Sequence, residues 1–268
     1  MNQNKSYIDP LRLYWHYISI TIRSSMQYKA SFCMFVVGQF LVSFNVFLGV
    51  YFMFQRFHTV KGFTYQEVVL CFSIVLLEFS LAEMYARGFD RFPSMVRQGD
   101  VDRILLRPRG AVLQVLGSRF ELTRIGRMLQ SVIMFLYAVR SGEIHWTADK
   151  VLTVVLMLAG GSALFTAMFM IGAAFSFFTT EGLEFMNVFT DGAREYGKYP
   201  FSVYGKRFLW ITTFLCPYAL VQYYPLLYLL DRRDNILYVF LPVLAALFLI
   251  PAYLFWRVGL RHYKSTGS

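Results

Sequence analysis

Three acidic residues, Glu67, Glu78 and Glu83, fall within an apolar run over residues 66–86, and Glu78 is the deepest of them. An ionised carboxylate inside hydrocarbon costs about 2.5–3.5 kcal/mol on insertion scales, so Glu78 must face a helix bundle or a wet cavity. There it would meet a cationic substrate or serve as a proton site. Alternatively, a neutral or partnered carboxyl would lock two helices together. Asn45 stands in an uncharged run over 30–54 and is read first as a helix–helix hydrogen bond. Other chemistry is missing from the pattern. No G-x-x-x-x-G-K-[ST] loop occurs: Gly197-Lys198-Tyr199 and Gly205-Lys206-Arg207 lack both the upstream glycine and the hydroxyl residue. ATP hydrolysis is therefore not expected in this chain. His16, His58, His145 and His262 are scattered without metal-ligand spacing, and nothing resembles a nucleophile elbow. No catalytic residue, bound cofactor or metal is expected.

The elements that carry these residues are those of a membrane protein. Of 268 residues, 57% are apolar and 16% charged, where a soluble domain has about a quarter charged. At about 20 residues per crossing the length suits one transmembrane domain over 1–268 with about six spans. The net charge of +10 is sorted into alternate loops, which favours membrane orientation over nucleic-acid binding. Cys33, Cys71 and Cys216 all lie in apolar segments, which argues against a disulfide framework. Residues Met1–Asp9 are polar and show no cleavable leader.

Along the chain, residues 10–29 read as an amphipathic helix in the membrane interface. Arg12, His16, Ser19, Arg23 and Gln27 form its polar stripe, with Tyr14, Trp15, Ile18 and Ile22 opposite. Spans are expected at about 30–54, 66–86, 120–144, 151–178, 203–230 and 236–256. A polar stripe of Gln114, Ser118, Glu121, Arg124 and Arg127 runs into the third, which must begin near Phe120 with that stripe buried, or run on to Trp146. The fourth is uncharged and offers Gly160, Gly161, Ala163, Ala167 and Gly172 for close helix approach. An amphipathic stretch over 181–199 carries Glu184, Asp191, Glu195 and Lys198. Pro217 and Pro225 break the fifth span, so its backbone must be covered by protein or line a cavity. All but six of the 26 Lys and Arg then fall on one side, the exceptions being Arg56, Lys61, Arg140, Lys150, Arg232 and Arg233. That bias puts both termini in the cytoplasm, together with the loop over 87–119.

Nine basic residues lie between Arg87 and Arg127. Within that stretch, Gly99-Asp100-Val101-Asp102-Arg103-Ile104-Leu105-Leu106-Arg107-Pro108 resembles the "G-x-L-D-x-x-L-L-R-P" loop of ABC-2 type transporter permeases. Val101 replaces the usual leucine, and Arg109 follows where an apolar residue is commoner. Tyr199-Pro200-Phe201-Ser202-Val203-Tyr204, then Cys216-Pro217-Tyr218 and Tyr224-Pro225, are similar to that group's "Y-P-x-x-x-Y" and proline-bearing span. The resemblance implies an all-α, six-span transmembrane subunit of an ATP-binding-cassette exporter in the cytoplasmic membrane of a bacterium. It implies pairing with a second permease, as homodimer or heterodimer. It also implies a separate ATPase that holds ATP and Mg. A coupling helix within Arg91–Val101 would meet that ATPase, with Arg91, Arg97, Gly99, Asp100, Asp102, Arg103 and Arg107 as coupling residues. Gly99 would allow the turn at its end. The proline-broken segment would be the end of span five and re-entrant extracellular helices. Asn45, Glu78, Pro217, Tyr218, Tyr224 and Pro225 are the pathway or gate candidates. The rival readings are an ion-coupled secondary transporter, for which Glu78 is the only hint, and a membrane scaffold or sensor. Drug, peptide, lipid and polysaccharide substrates all stay open.

Overall fold

The computed structural model describes residues 10–142, 144–179 and 183–263, and these residues are built from helices. Helix α1 (Pro10–Ser25) passes through one 3-10 turn into α2 (Lys29–Arg56). Then come α3 (Tyr65–Arg97), α4 (Asp100–Leu105), α5 (Ala111–Ser118), α6 (Ile125–Ser141) and α7 (Ala148–Phe175). After residues 180–182, which lie outside the described residues, short pieces follow: α8 (Met186–Phe189), α9 (Asp191–Tyr196), α10 (Lys206–Phe214), α11 (Tyr218–Val221) and α12 (Tyr223–Leu229). Helices α13 (Leu237–Ala246) and α14 (Leu249–His262) close the chain. Among the described residues four stretches are long and apolar enough to cross a membrane: Arg12–Arg56, Tyr65–Arg97, Ala148–Phe175 and Leu237–His262.

Helix α3 is the axis of the bundle. Thr64 and Glu67 form a capping box at its start, with the Thr64 N–H donating to Glu67 Oε2 at 2.7 Å. Glu67 is thus a helix cap at the membrane edge and not an intramembrane acid. From Val68 to Val75 every α3 side chain is buried, as apolar runs are when helices surround them on all sides. At 1.5 Å per residue its 33 residues span about 50 Å, against about 30 Å of hydrocarbon, so its last turns project beyond the bilayer. Phe89, Phe92 and Phe177 close around Trp256 of α14 with ring centroids 4.7–5.2 Å away, which anchors this projecting end.

Helix α7 packs on α3 and α13 through two adjacent glycines. A Cβ on Gly161 would lie 2.2 Å from the Glu78 carboxyl, and one on Gly160 would lie 2.4 Å from the Pro242 carbonyl oxygen. The sequence GG therefore thins α7 on two faces at one level, as close helix approach in a membrane requires.

The structure corrects several expected elements. Helix α6 spans 17 residues, about 26 Å, where a span over 120–144 was expected. It starts late because the backbone is extended at Arg119 and turns once as a 3-10 helix over Leu122–Arg124; the polar residues Arg124, Arg127, Gln130 and Ser131 are buried, as the first of the two expected arrangements required. The expected coupling helix over Arg91–Val101 is divided. Arg91–Arg97 are the last turns of α3, and Asp100–Leu105 form a separate helix after Gly99, whose φ of 73° reverses the chain. The amphipathic stretch over 181–199 is cut at Thr190 (φ −111°, ψ −82°), and Glu181 lies outside the described residues.

The expected span over 203–230 is instead three short helices that dip into the bundle and return. Tyr228 Oη donates to Asp149 Oδ2 at the start of α7, and Arg232 pairs with Glu67 at the start of α3, so the arm ends where those helices begin. Its turn is deep: the Tyr218 ring lies 5.1 Å from Phe165, which is 17 residues into α7, or about 26 Å down. Pro217 makes the turn, since it has no N–H for the next helical bond. The second break falls at Gln222 and not at Pro225. Pro225 is the third residue of α12, where a backbone N–H has no helical partner to lose. The passage across the bundle is made by residues 183–204. Phe185 packs on Phe175 at the end of α7, and Tyr199 Oη reaches Met53 Sδ near the end of α2.

Candidate functional site

The first candidate is the corner after α3. Asp100–Leu105 is short, and its apolar residues Val101 and Ile104, three apart, turn inward onto Val96, Phe92 and Val115. The charged residues turn outward. Arg103 and Asp100 pair loosely at 3.7 Å with both side chains exposed, and Arg91, Arg97 and Arg107 are exposed as well. Asp102 is half-buried. Leu106 is 85% exposed, the most of any large apolar side chain described. Sequence reasoning passed over Leu106. The signal was there in Leu105-Leu106 placed between arginines, two apolar residues that a six-residue helix cannot both bury. The corner is a small folded knob, charged around an apolar tip, at the end of the longest helix.

The second candidate is a set of charges that is buried around Glu83 between α3 and the start of α6 and partly exposed on α9. Glu83 is its centre. Its carboxylate takes Arg127 at 2.6 Å, Arg87 at 2.8 Å and Arg124 at 3.2 Å. Gln39 Oε1 of α2 accepts from Arg127 Nη2 at 2.9 Å and Arg124 Nη1 at 3.0 Å. Arg87 also pairs with Asp90 at 2.8 Å. On α9, Arg194 pairs with Asp191 at 3.4 Å and Glu195 at 3.0 Å, and Lys198 pairs with Glu195. Arg127 and Arg194 meet over the ring of Phe79, with guanidinium carbons 5.8 and 4.8 Å from its centroid. Charges at such depth persist only when paired and hydrogen-bonded, and in membrane proteins they mark pathways. Each residue was visible in the sequence, Arg124 and Arg127 even as a stripe. What the sequence does not show is which helices are neighbours.

The gate candidates are dispersed. Glu78 is 1% exposed, pressed against Gly161 in the α3–α7 seam, and its Oε1 has no hydrogen-bond partner among the described residues. Asn45 lies on the open face of α2, exposed, and among the described residues no helix covers it and no partner makes the helix–helix bond expected for it. Tyr218 is buried and donates through its hydroxyl to the Phe189 carbonyl, so it is no interfacial tyrosine. The Tyr224 hydroxyl pairs with Thr213 Oγ1 at 3.2 Å and ties the two limbs of the re-entrant arm. Gln222, which sequence reasoning missed, fixes that arm in place. Its amide donates to the Tyr199 and Gly197 carbonyls at 2.8 and 3.1 Å and lies 2.8 Å from Cys71 Sγ.

A helical bundle with several apolar helices long enough to cross a membrane and charges buried among them is the make-up of a multi-pass membrane protein. The family described as ABC-2 family transporter protein matches residues 40–267, and the chain belongs to that family. The match starts within α2 and leaves α1 outside it. No curated protein and no solved structure matches the chain. As an ABC-2 permease it is a transmembrane transport component, not itself catalytic, and it works in a membrane with ABC ATPase partners.

Proposed function

We propose that the chain is one half of an ATP-driven exporter in the cytoplasmic membrane of a bacterium. Six crossings carry it: the α1–α2 rod, α3, α6, α7, the broken passage over 183–204, and α13–α14. The corner after α3 receives the ATPase, which holds ATP and Mg. Arg91, Arg97, Asp100, Asp102, Arg103 and Arg107 ring the contact, and Gly99 sets its angle. A second permease pairs with this chain and leaves the open face of α2 to the pathway, where Asn45 stands. The re-entrant arm from Pro217 through Tyr218, Tyr224 and Pro225 closes the outer end. Glu78 fills the seam between α3 and α7 against Gly161.

One observation carries this reading: an apolar residue, Leu106, exposed on a knob whose own core, Val101 and Ile104, is buried. A soluble domain docking on such a knob removes that apolar surface from water. Tagged chain is expected to bring an ABC ATPase through purification. Leu106→Glu is expected to cut the recovered ATPase by roughly tenfold, the loss of one well-buried contact, at equal permease yield. Equal ATPase recovery with Leu106→Glu would place the contact elsewhere.

Orientation is tested separately. The charge bias puts the α2–α3 turn outside. Cysteine at Lys61, in a chain with Cys33→Ser, is expected to react with a membrane-impermeant maleimide in intact cells. Reaction only after permeabilisation reverses the topology.

A further inference from the structure

Beside the buried charges a groove opens between α2 and α9. Its floor is Phe72 and Leu76 of α3, and its wall is Val42 and Val46 of α2. Three cations line it, Arg127, Arg194 and Lys198, against one carboxylate, Glu195. Phe72 and Phe79 stand 7 and 14 residues into α3, about 10 and 21 Å along it, so the groove lies within the hydrocarbon layer. Lys198 Nζ sits 5.8 Å from the centre of the Phe72 ring, and Arg194 lies over Phe79, so aromatic faces hold both cations in place.

The charges around α3 and α6 do not balance. Arg87, Arg124 and Arg127, the last of which lines the groove, face Glu83 and Asp90, which leaves one positive charge over among the described residues, while Arg194 and Lys198 pair with Asp191 and Glu195. Donors are in excess in that same group: Arg87 Nε and Arg124 Nε, which do not line the groove, are buried and have no acceptor among the described residues. Among the described residues the group around Glu83 is one anion short, and Arg127 carries that excess into the groove. The groove is small, about 50 Å³, so it admits a headgroup and not a whole molecule. Its apolar wall continues onto the open face of α2, where Met34, Leu41 and Val42 are exposed, and there an alkyl chain finds room.

We infer that this groove takes the anionic head of an amphiphile, a phosphate or carboxylate carried on an apolar chain, as the transported substrate. The inference rests on reading the chain as an exporter half, and it names the substrate class of that pathway. Arg127, Arg194 and Lys198 bind the head by charge-assisted hydrogen bonds, and the chain lies against α2 in the bilayer.

The test uses the full chain in phosphatidylcholine nanodiscs. Fluorescently labelled dodecyl phosphate and dodecyltrimethylammonium, with the same label, are titrated and followed by anisotropy. The phosphate is expected to bind roughly tenfold or more tightly than the ammonium, since a charge-assisted hydrogen bond is worth about that much. Arg194→Gln with Lys198→Gln is expected to remove the preference, while Lys198→Arg keeps it. The head-group preference of the unaltered chain is read without any variant, so a variant that fails to fold does not remove the test. Equal binding of the two heads overturns the inference, as does a phosphate preference that the paired glutamines leave intact. Displacement by millimolar inorganic phosphate would assign the groove to a free anion and overturn the amphiphile. None of these titrations involves the ATPase, so a failed ATPase pull-down refutes the exporter reading without changing their result.

Discussion

Glu83→Ala is expected to destabilise the folded chain by about 3–5 kcal/mol, the cost of leaving a buried charge without its partner. Three guanidinium groups converge on that one carboxylate at 2.6–3.2 Å. Removing it leaves Arg124 and Arg127, both buried, with Gln39 Oε1 as the acceptor they share among the described residues. Gln39 accepts hydrogen bonds but carries no charge, so it cannot offset them. The reading is the thermal unfolding midpoint of the detergent-solubilised chain together with its monodisperse yield. Glu83→Ala with Arg127→Leu should recover part of the loss, because the second change removes one of the stranded charges. An unchanged midpoint for Glu83→Ala alone would mean that the network does not hold α3 to α6.

The second large effect concerns the adjacent glycines of α7. Gly160→Ala is expected to cost about 3 kcal/mol, the upper part of the range for overpacking a close-packed interior. The new methyl would meet the Pro242 carbonyl at 2.4 Å, and backbone of a packed helix cannot step aside. A gain in helix propensity of about 1 kcal/mol does not offset this. Gly161→Ala meets a side chain instead, the Glu78 carboxyl. Glu78→Ala should therefore rescue Gly161→Ala and leave Gly160→Ala unrescued. The same unfolding assay decides: rescue of both, or of neither, would show that the two faces of α7 are not separate contacts.

The sequence was most legible where one residue type has one physical consequence. The uncharged run of α7, the glycine turn before Asp100 and the proline turn at Pro217 are of this kind. It was least legible where consequence depends on a neighbour. Glu78 drew attention as the deepest acid, yet Glu83, five residues on, gathers the charges, because its side of α3 faces α6. Arg124 and Arg127 read as a stripe without a destination until Gln39 and Glu83 supplied one. Pro225 looked like a helix breaker, and its place in the first turn of α12 makes it harmless. Residues 203–230 have the length and apolarity of a crossing. The hydrogen bonds of Gln222 to Gly197 and Tyr199 tie that stretch back onto residues 183–204, a contact that no sequence pattern announces.

Helix α2 has only Ser43, Val50 and Phe54 fully buried, whereas α3 and α7 are packed along much of their length. At one end α2 meets a non-helical residue, Tyr28 (φ −116°, ψ 62°), and at the other it gives way to the turn over 57–64. The chain thus has the mechanics of a stiff slab with a post beside it. The slab is pinned through glycine contacts that leave no slack, and the post, continuous with α1 at one end and running into a turn at the other, is fastened mainly along α6. Few buried side chains hold α2, so on the proposed function a push delivered to the slab at its knob widens or narrows the gap beside the post before it strains any seam within the slab.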